Sequence, residues 1–389
     1  MSRPRRILQV CDGTLRGGLE SALMQLLRRI DRTRYRFDFV VRRPEPGHFD
    51  AEIRALGGRR FCCPNHRNPL AFARALSAVL RQHGPYDVVH SHLEHYSGLV
   101  LAVAAAAAVP IRIAHIHNDR SRQPASPVLL AYRRLMAAAV RRCATTGFAP
   151  SAAAASFLFG ADWRSDGRWR ALPYGIDLAP FRAAVEPAVV RRALGIPAGA
   201  VVIGHVGRFH PQKNHALWLR VLAAFAAREP RAFGLLVGDG ALRPGIERQA
   251  RAAGLAGRLR FAGVRDDVPR LMQAAMDVLL FPSRHEGLGL VLVEAQAAGL
   301  ACVISDVIPP EADALPGRVL RLPPSAPPAL WAQALEAALQ RGRAADAARH
   351  LAGTAYAIDT SLALYTAAYD GAPAAALPAD PRTCAASPA

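Results

Sequence analysis

Two loops in the second half of this 389-residue chain carry side chains of the kind that grip a charged, hydroxyl-rich ligand. The first is Gly207-Arg-Phe-His-Pro-Gln-Lys213. Its Arg208 offers a planar fork for two phosphate oxygens at once, and Lys213 adds a mobile point charge five residues on. The second loop is Glu286-Gly-Leu-Gly289, and a further acid, Glu294, follows with seven residues between the two glutamates. Gly287 and Gly289 let the backbone approach a ligand and turn free N–H groups toward it. A helix opening just after them would add partial positive charge, which suits a phosphate. Alone, the first loop reads as a solvated basic loop, and the second as a helix-start acid with one ion-paired glutamate. Together in one half of the chain they describe cations for a diphosphate and carboxylates for ribose or sugar hydroxyls, which is a nucleotide-sugar site. A buried, unpaired glutamate is costly enough that a ligand explains it better.

The elements that must hold these loops are legible around them. A short apolar run, 201–206, leads into the first loop, and another, 278–281, leads into the second. Such runs form buried parallel strands. Residues 288–298 contain no proline, are apolar on every face and end at Gly299, which predicts a buried helix. Further strands are expected at 233–237, 259–261 and 302–305, alternating with helices. The first half repeats the rhythm, with strands expected at 5–10, 36–41, 59–62, 87–92, 112–117 and 145–148. Helices are expected at 70–81, 97–108 and 128–142. This alternation predicts α/β domains with doubly wound parallel sheets. Prolines and glycines loosen the pattern over 173–197, which reads as a linker with one short helix at 187–194. The expected domains are therefore 1–172 and 198–353. A helix at 354–370 returns to the first domain, and 371–389 reads as a disordered tail.

Two features of the first half sit at strand ends, where such sheets place ligands. Gly17 and Gly18 follow the first strand, either as a tight turn or as the floor for an acceptor or phosphate. His90 and His92, and then His115 and His117, alternate along two strands. Side chains two residues apart share a face and can bind a metal. With no acidic or cysteine cluster beside them, a polar strand end lining a sugar pocket is the reading adopted.

Composition narrows the class. Apolar residues make up 51% and charged residues 20%, a globular balance that excludes a disordered chain. Lysine plus arginine outnumber the acids 49 to 30, for a net charge of +19. That excess fits phosphorylated substrates, an anionic membrane face or nucleic acid. The arginines are scattered, and no helix-turn-helix, zinc finger or aromatic–basic pattern favours nucleic acid. The six cysteines show no C-x-x-C spacing, which argues against a disulfide or zinc scaffold. The chain enters its first strand without a signal-peptide core, and its longest apolar run, 99–110, is too short for a bilayer. A cytoplasmic location is expected.

Several motifs, in order, carry a family resemblance: Gly207-Arg-Phe-x-x-x-Lys213, Val237-Gly-Asp-Gly240, and Glu286 with Glu294 eight positions on. The surrounding text, Glu294-Ala-Gln-Ala-Ala-Gly-Leu300, Val303-Ile-Ser-Asp306, His90-Ser-His92 and Arg112-Ile-Ala-His-Ile-His-Asn118, agrees. Over most of its length the chain resembles the retaining GT-B glycosyltransferases of family 4, nearest to exopolysaccharide and capsule members. The resemblance implies two Rossmann-like domains facing a cleft. It implies hexosyl transfer, with retention, from a nucleoside diphosphate sugar to a hydroxyl of a glycan or lipid-linked acceptor, with no metal and no other cofactor. By that resemblance Arg208 and Lys213 hold the donor diphosphate, Gly207 leads their loop, and Glu294 binds the ribose. Glu286, with the amides of Gly287, Leu288 and Gly289, holds the transferred sugar and phosphate. The backbone near Val264 meets the base, Gly17 and Gly18 line the cleft, and His117 approaches the sugar. Asp266-Asp267 reads as a helix N-cap with a first-turn acid, not as a metal-binding D-x-D. Where family members often carry Asn-Gly-Ile-Asp, this chain has Tyr174-Gly-Ile-Asp177. The alternatives are a nucleotide-sugar epimerase, which needs no acceptor, and a basic binding protein without activity. The charge has two readings as well: peripheral contact with an anionic inner membrane, or arginine scattered without a role.

Overall fold

The computed structural model describes residues 3–15, 17–64, 68–119 and 124–372. Most of the expected tail, from 373 on, lies outside them. The chain divides into two units, one running to Gly175 and resuming at Gly353, the other spanning Ile176–Ala352.

The first unit is built on seven parallel strands: β1 (Arg5–Cys11), β2 (Tyr35–Val41), β3 (Arg60–Cys62), β4 (Val88–Ser91), β5 (Ile111–His115), β6 (Thr146–Ala149) and β7 (Trp169–Ala171). Their order across the sheet is β3-β2-β1-β4-β5-β6-β7. Helices cover both faces, so Ile7, Leu8, Val10, Val88, Val89 and Ile113 are all fully buried. The helix Gly18–Arg29 buries Leu23, Met24, Leu26 and Leu27 at helical spacing. Asn68, Ser126 and Ser151 start three other helices by accepting a backbone N–H from three residues on. A last helix, Ile358–Tyr369, adds Leu364, Tyr365 and Tyr369 to the core of this unit. Gly371 and Ala372, expected in the tail, instead close that helix with backbone bonds to Ala368 and Ala367.

The second unit holds six parallel strands: β8 (Val201–Val206), β9 (Ala232–Val237), β10 (Leu259–Gly263), β11 (Val278–Phe281), β12 (Ala301–Ser305) and β13 (Val319–Leu322). Their order is β10-β9-β8-β11-β12-β13. Both sheets therefore have the doubly wound arrangement in which the strand order reverses beside the first strand of each unit.

The differences from the sequence reading lie at edges and ends. β7 and β13 were not expected; both are short, border their sheets and are only partly buried, so no apolar run marks them. Residues 176–197, expected as a linker, fall in the second unit. There the helix Pro187–Ala193 buries Val190, and Arg191 pairs with Asp277 at 2.8 Å. The helix after the second glycine loop is Leu290–Ala297, opening two residues later than its apolar text suggests. Asp267 occupies the N-cap position of Val268–Ala274, but its carboxylate pairs with Arg265 and caps nothing. Among the described residues no helix is long and apolar enough to cross a membrane.

Candidate functional site

In an open parallel sheet the ligand crevice lies beyond the strand ends where the order reverses. In the second unit that point falls between β8 and β11, which pair directly, Ile203 with Val278 and Gly204 with Leu279. The loops leaving these two strands are the two chemical loops of the sequence. They are fastened together three times. Arg284 N donates to Gln212 O at 2.8 Å, Gln212 Nε2 donates to His285 O at 2.8 Å, and Lys213 Nζ pairs with Glu286 Oε1 at 2.6 Å. Glu286 is buried, and Lys213 lies with its ammonium 4.5 Å from the centre of the Phe281 ring. Lys213 and Glu286 thus form a desolvated ion pair resting on an aromatic face. Arg208, on the same loop, is exposed, and its guanidinium has no ion-pair or hydrogen-bond partner among the described residues.

The Val237-Gly-Asp-Gly240 motif buttresses the Arg208 loop from the β9 side. Gly207 N donates to Val237 O and Phe209 N to Asp239 O, both at 2.9 Å. Gly238 stands at φ +130°, and a Cβ there would lie 2.1 Å from Gly207 O. No other residue fits such an approach. Gly238→Ala is accordingly expected to cost about 2–4 kcal/mol of stability. Urea denaturation measures this, and a change below 0.5 kcal/mol would show the loops free to separate. Gly238 N also donates to Gly263 O at 2.8 Å, which brings Val264, just beyond β10 and 56% exposed, to the same end of the sheet.

Gly289 caps the helix Leu290–Ala297 at φ +83°, so Gly287, Leu288 and Gly289 form the turn between Glu286 and a helix N-terminus. Glu294 is the fifth residue of that helix, just over one turn in, and its carboxylate has no hydrogen-bond partner among the described residues. Burial lifts its carboxyl from 4.5 to about 7. An acid held so is primed to accept hydroxyl hydrogen bonds, which favour its charged form.

In the first unit Gly17 is the extended N-cap of the helix Gly18–Arg29, and a side chain on Gly18 would meet open space. β4 and β5 end at Ser91 and His115, so His92 and His117 stand just past them. All four histidines are buried and interlinked. His92 Nδ1 and His117 Nε2 are 2.8 Å apart, His90 Nε2 and His115 Nδ1 3.3 Å. Burial holds His90, His92 and His117 well below the ordinary histidine range and lowers His115 to about 3. Every ring is neutral at physiological pH. Both nitrogens of His117 are engaged, one by His92 and the other by the hydroxyl of Tyr174, the residue standing where an asparagine was expected.

Sequence reasoning missed Gln9, Tyr365 and Tyr369 around these rings, and Gln212 and Phe281 around the ion pair; it noted Tyr174 as a departure from the family pattern, without the contact to His117. Only Gln9 carries a local sign, as the one polar residue within the apolar run of Ile7, Leu8 and Val10. Tyr369 reaches Gln9 and His90 from the far end of the chain.

The sequence matches two family models, Glycosyl transferase 4-like domain over residues 17–175 and Glycosyl transferases group 1 over 200–341. EpsF of Bacillus subtilis (strain 168) is 39% identical over 355 residues, covering 88% of this chain and 90% of EpsF. An Escherichia coli UDP-Gal:alpha-D-GlcNAc-diphosphoundecaprenol alpha-1,3-galactosyltransferase is 26% identical over 230 residues, covering 57% of this chain and 58% of that protein. Among solved structures, Anabaena HepE, in complex with UDP, superposes with a TM-score of 0.77 at 20% identity, over 94% of this chain and 100% of HepE. HepE has also been solved with UDP-glucose. Two doubly wound sheets, the loops at their reversal points and these matches lead to one assignment: the chain belongs to the family 4 glycosyltransferases of GT-B fold.

Proposed function

We propose that this protein transfers a hexose from a nucleoside diphosphate sugar to a hydroxyl acceptor, with retention of anomeric configuration and without a metal. The observation that carries this reading is the Lys213–Glu286 pair clamped between the β8 and β11 loops, with the free fork of Arg208 on the same loop. As the glycosidic bond breaks, negative charge grows on the leaving diphosphate. Arg208, Lys213 and the helix N-terminus after Gly289 would stabilise that charge where it forms, as fixed dipoles and cations do best. Glu294 would accept from the ribose hydroxyls, and Glu286 with the amides of Gly287, Leu288 and Gly289 would hold the sugar and its phosphate. Gly207 would let the β8 loop approach the donor, and Val264 would present its backbone to the base. Gly17 and Gly18 would leave room for a ligand at the start of the helix Gly18–Arg29. For His117 to reach a sugar hydroxyl, Tyr174 must first release it.

The UDP and UDP-glucose of HepE make uridine the base to try first. The E. coli relative, which works on a diphosphoundecaprenol-linked sugar, and the likeness to EpsF support a lipid-linked acceptor in exopolysaccharide assembly. The test is a reaction with UDP-sugars and a lipid-linked or soluble glycan acceptor, read by NMR at the new anomeric centre. Retained configuration and a rate indifferent to added Mg²⁺ or Mn²⁺ are expected. Inversion, turnover that depends on added Mg²⁺ or Mn²⁺, or an altered sugar formed from donor alone would each reject the reading.

An acceptor at the inner membrane face gives the +19 charge a use. Liposome flotation should then show more protein bound as acidic lipid is added, with binding lost at high salt. Equal partitioning with and without acidic lipid would leave the arginines without that role.

A further inference from the structure

The histidines of the first unit are arranged as ligands are. One ring nitrogen from each of His90, His92 and His115 falls within 4.8 Å of the others. On two of the three rings, His90 and His92, the other nitrogen is already held by an oxygen. His92 Nε2 lies 2.7 Å from Gln9 Oε1, an oxygen that only accepts, so this nitrogen carries the proton and the ring's lone pair sits on Nδ1, which His117 Nε2 approaches to 2.8 Å. His90 Nδ1 lies 3.0 Å from Tyr369 Oη, which Gln9 Nε2 also reaches, at 3.1 Å. A histidine that binds a metal is ordinarily steadied in this manner, its far nitrogen bonded to an oxygen that sets the tautomer.

His115 supplies an independent observation. Its Nε2 is buried and has no hydrogen-bond partner among the described residues. Without an ion, the protons run from Tyr174 to His117, His92, Gln9, Tyr369, His90 and finally His115, whose Nε2–H then finds no acceptor. If His90 and His115 take the opposite tautomers, Nε2 becomes a bare lone pair, equally unpaired. Leaving such a buried group unpaired is destabilising. A cavity of about 20 Å³ lies against His90, His92, His115 and His117, large enough for one water or one ion.

We propose that His90, His92 and His115 bind a first-row divalent metal ion of the zinc class. Three nitrogen ligands without a carboxylate suit Zn²⁺, Ni²⁺ or Cu²⁺ and disfavour Mg²⁺ or Ca²⁺. Burial keeps the three rings neutral, the form that ligates. The fourth position falls to water or to His117 Nε2. Through Gln9 and Tyr369 the ion would tie the ends of β4 and β5 to β1 and to the helix Ile358–Tyr369. The site is separate from the diphosphate chemistry of the second unit and stands whether or not the donor assignment does.

The experiment uses the full chain without an affinity tag, produced in medium supplemented with zinc or with cobalt and then desalted. About one metal per chain by elemental analysis is expected, with visible d–d absorption of tetrahedral Co²⁺ in the cobalt form. His92→Asn and His115→Asn should each lose the metal. To separate loss of metal from failure to fold, the wild-type chain is also treated with a chelator. Its Tm should fall and recover on adding Zn²⁺ back. Wild-type protein that takes up less than about a tenth of an equivalent, or both variants holding undiminished metal, would overturn the proposal.

Discussion

Lys213→Met lowers turnover about 10²- to 10³-fold, the loss expected when one preorganised charge is taken from a developing oxyanion. Methionine keeps an unbranched stem against Phe281, so packing changes little. What changes is charge, in two places at once. The donor diphosphate loses a cation, and Glu286, only 7% exposed, loses the partner 2.6 Å away that makes its burial tolerable. Breaking a buried pair from one side costs about 3–5 kcal/mol, less where the stranded acid can take up a proton. Lys213→Met should therefore be both slow and destabilised. Adding Glu286→Gln to it removes the stranded charge and should recover most of the stability and none of the turnover. Arg208→Ala provides the contrast. Its guanidinium is exposed and has no partner among the described residues, so stability should stay within about 0.5 kcal/mol. Turnover should still fall by an amount comparable to that of Lys213→Met. Urea denaturation and single-turnover kinetics on the four proteins separate the effects, and near-normal turnover in both Lys213→Met and Arg208→Ala would sink the assignment.

Glu294→Gln is expected to make the protein more stable and less able to hold its donor. Burial raises the Glu294 carboxyl from 4.5 to about 7, so between those values the folded chain keeps a proton that the unfolded chain has released. Folding is then favoured by low pH. This contribution is complete below about pH 4.5, shrinks as pH climbs toward 7, and above 7 leaves a constant cost of about 1–3 kcal/mol, the lower end reflecting partial exposure. Glutamine carries no such cost. The variant should match the parent near pH 4.5 and exceed it by about that margin at pH 8. Its donor KM should rise about tenfold or more, since a hydrogen bond to an ionised acceptor contributes about 1.5–3 kcal/mol. In the parent, donor binding should tighten from pH 6 to pH 8, because ribose hydroxyls favour the ionised acid. A stability difference that does not vary with pH would show that Glu294 is already ionised and solvated in the free protein.

What the sequence by itself determined was local. The strands expected at 201–206 and 278–281 became β8 and β11 with the same bounds, because a strand buried on both faces writes itself as a largely apolar segment, interrupted in β8 by His205. The glycine turns after β9 and β11 were equally legible, since a backbone that must take φ +130° at Gly238 or +83° at Gly289 accepts little else. Only the tertiary structure decided who touches whom. Lys213 and Glu286 lie 73 residues apart, and their pairing follows from β8 lying beside β11, a strand order that no spacing along the chain reports. The same holds for Tyr369, 360 residues from Gln9, and for Tyr174, a departure from the family text that proved to be the partner of His117. Edge strands β7 and β13 left no trace because short, partly buried segments need no apolar pattern. Periodicity records which face of an element is dry; the neighbour that keeps it dry is chosen by how the elements stack.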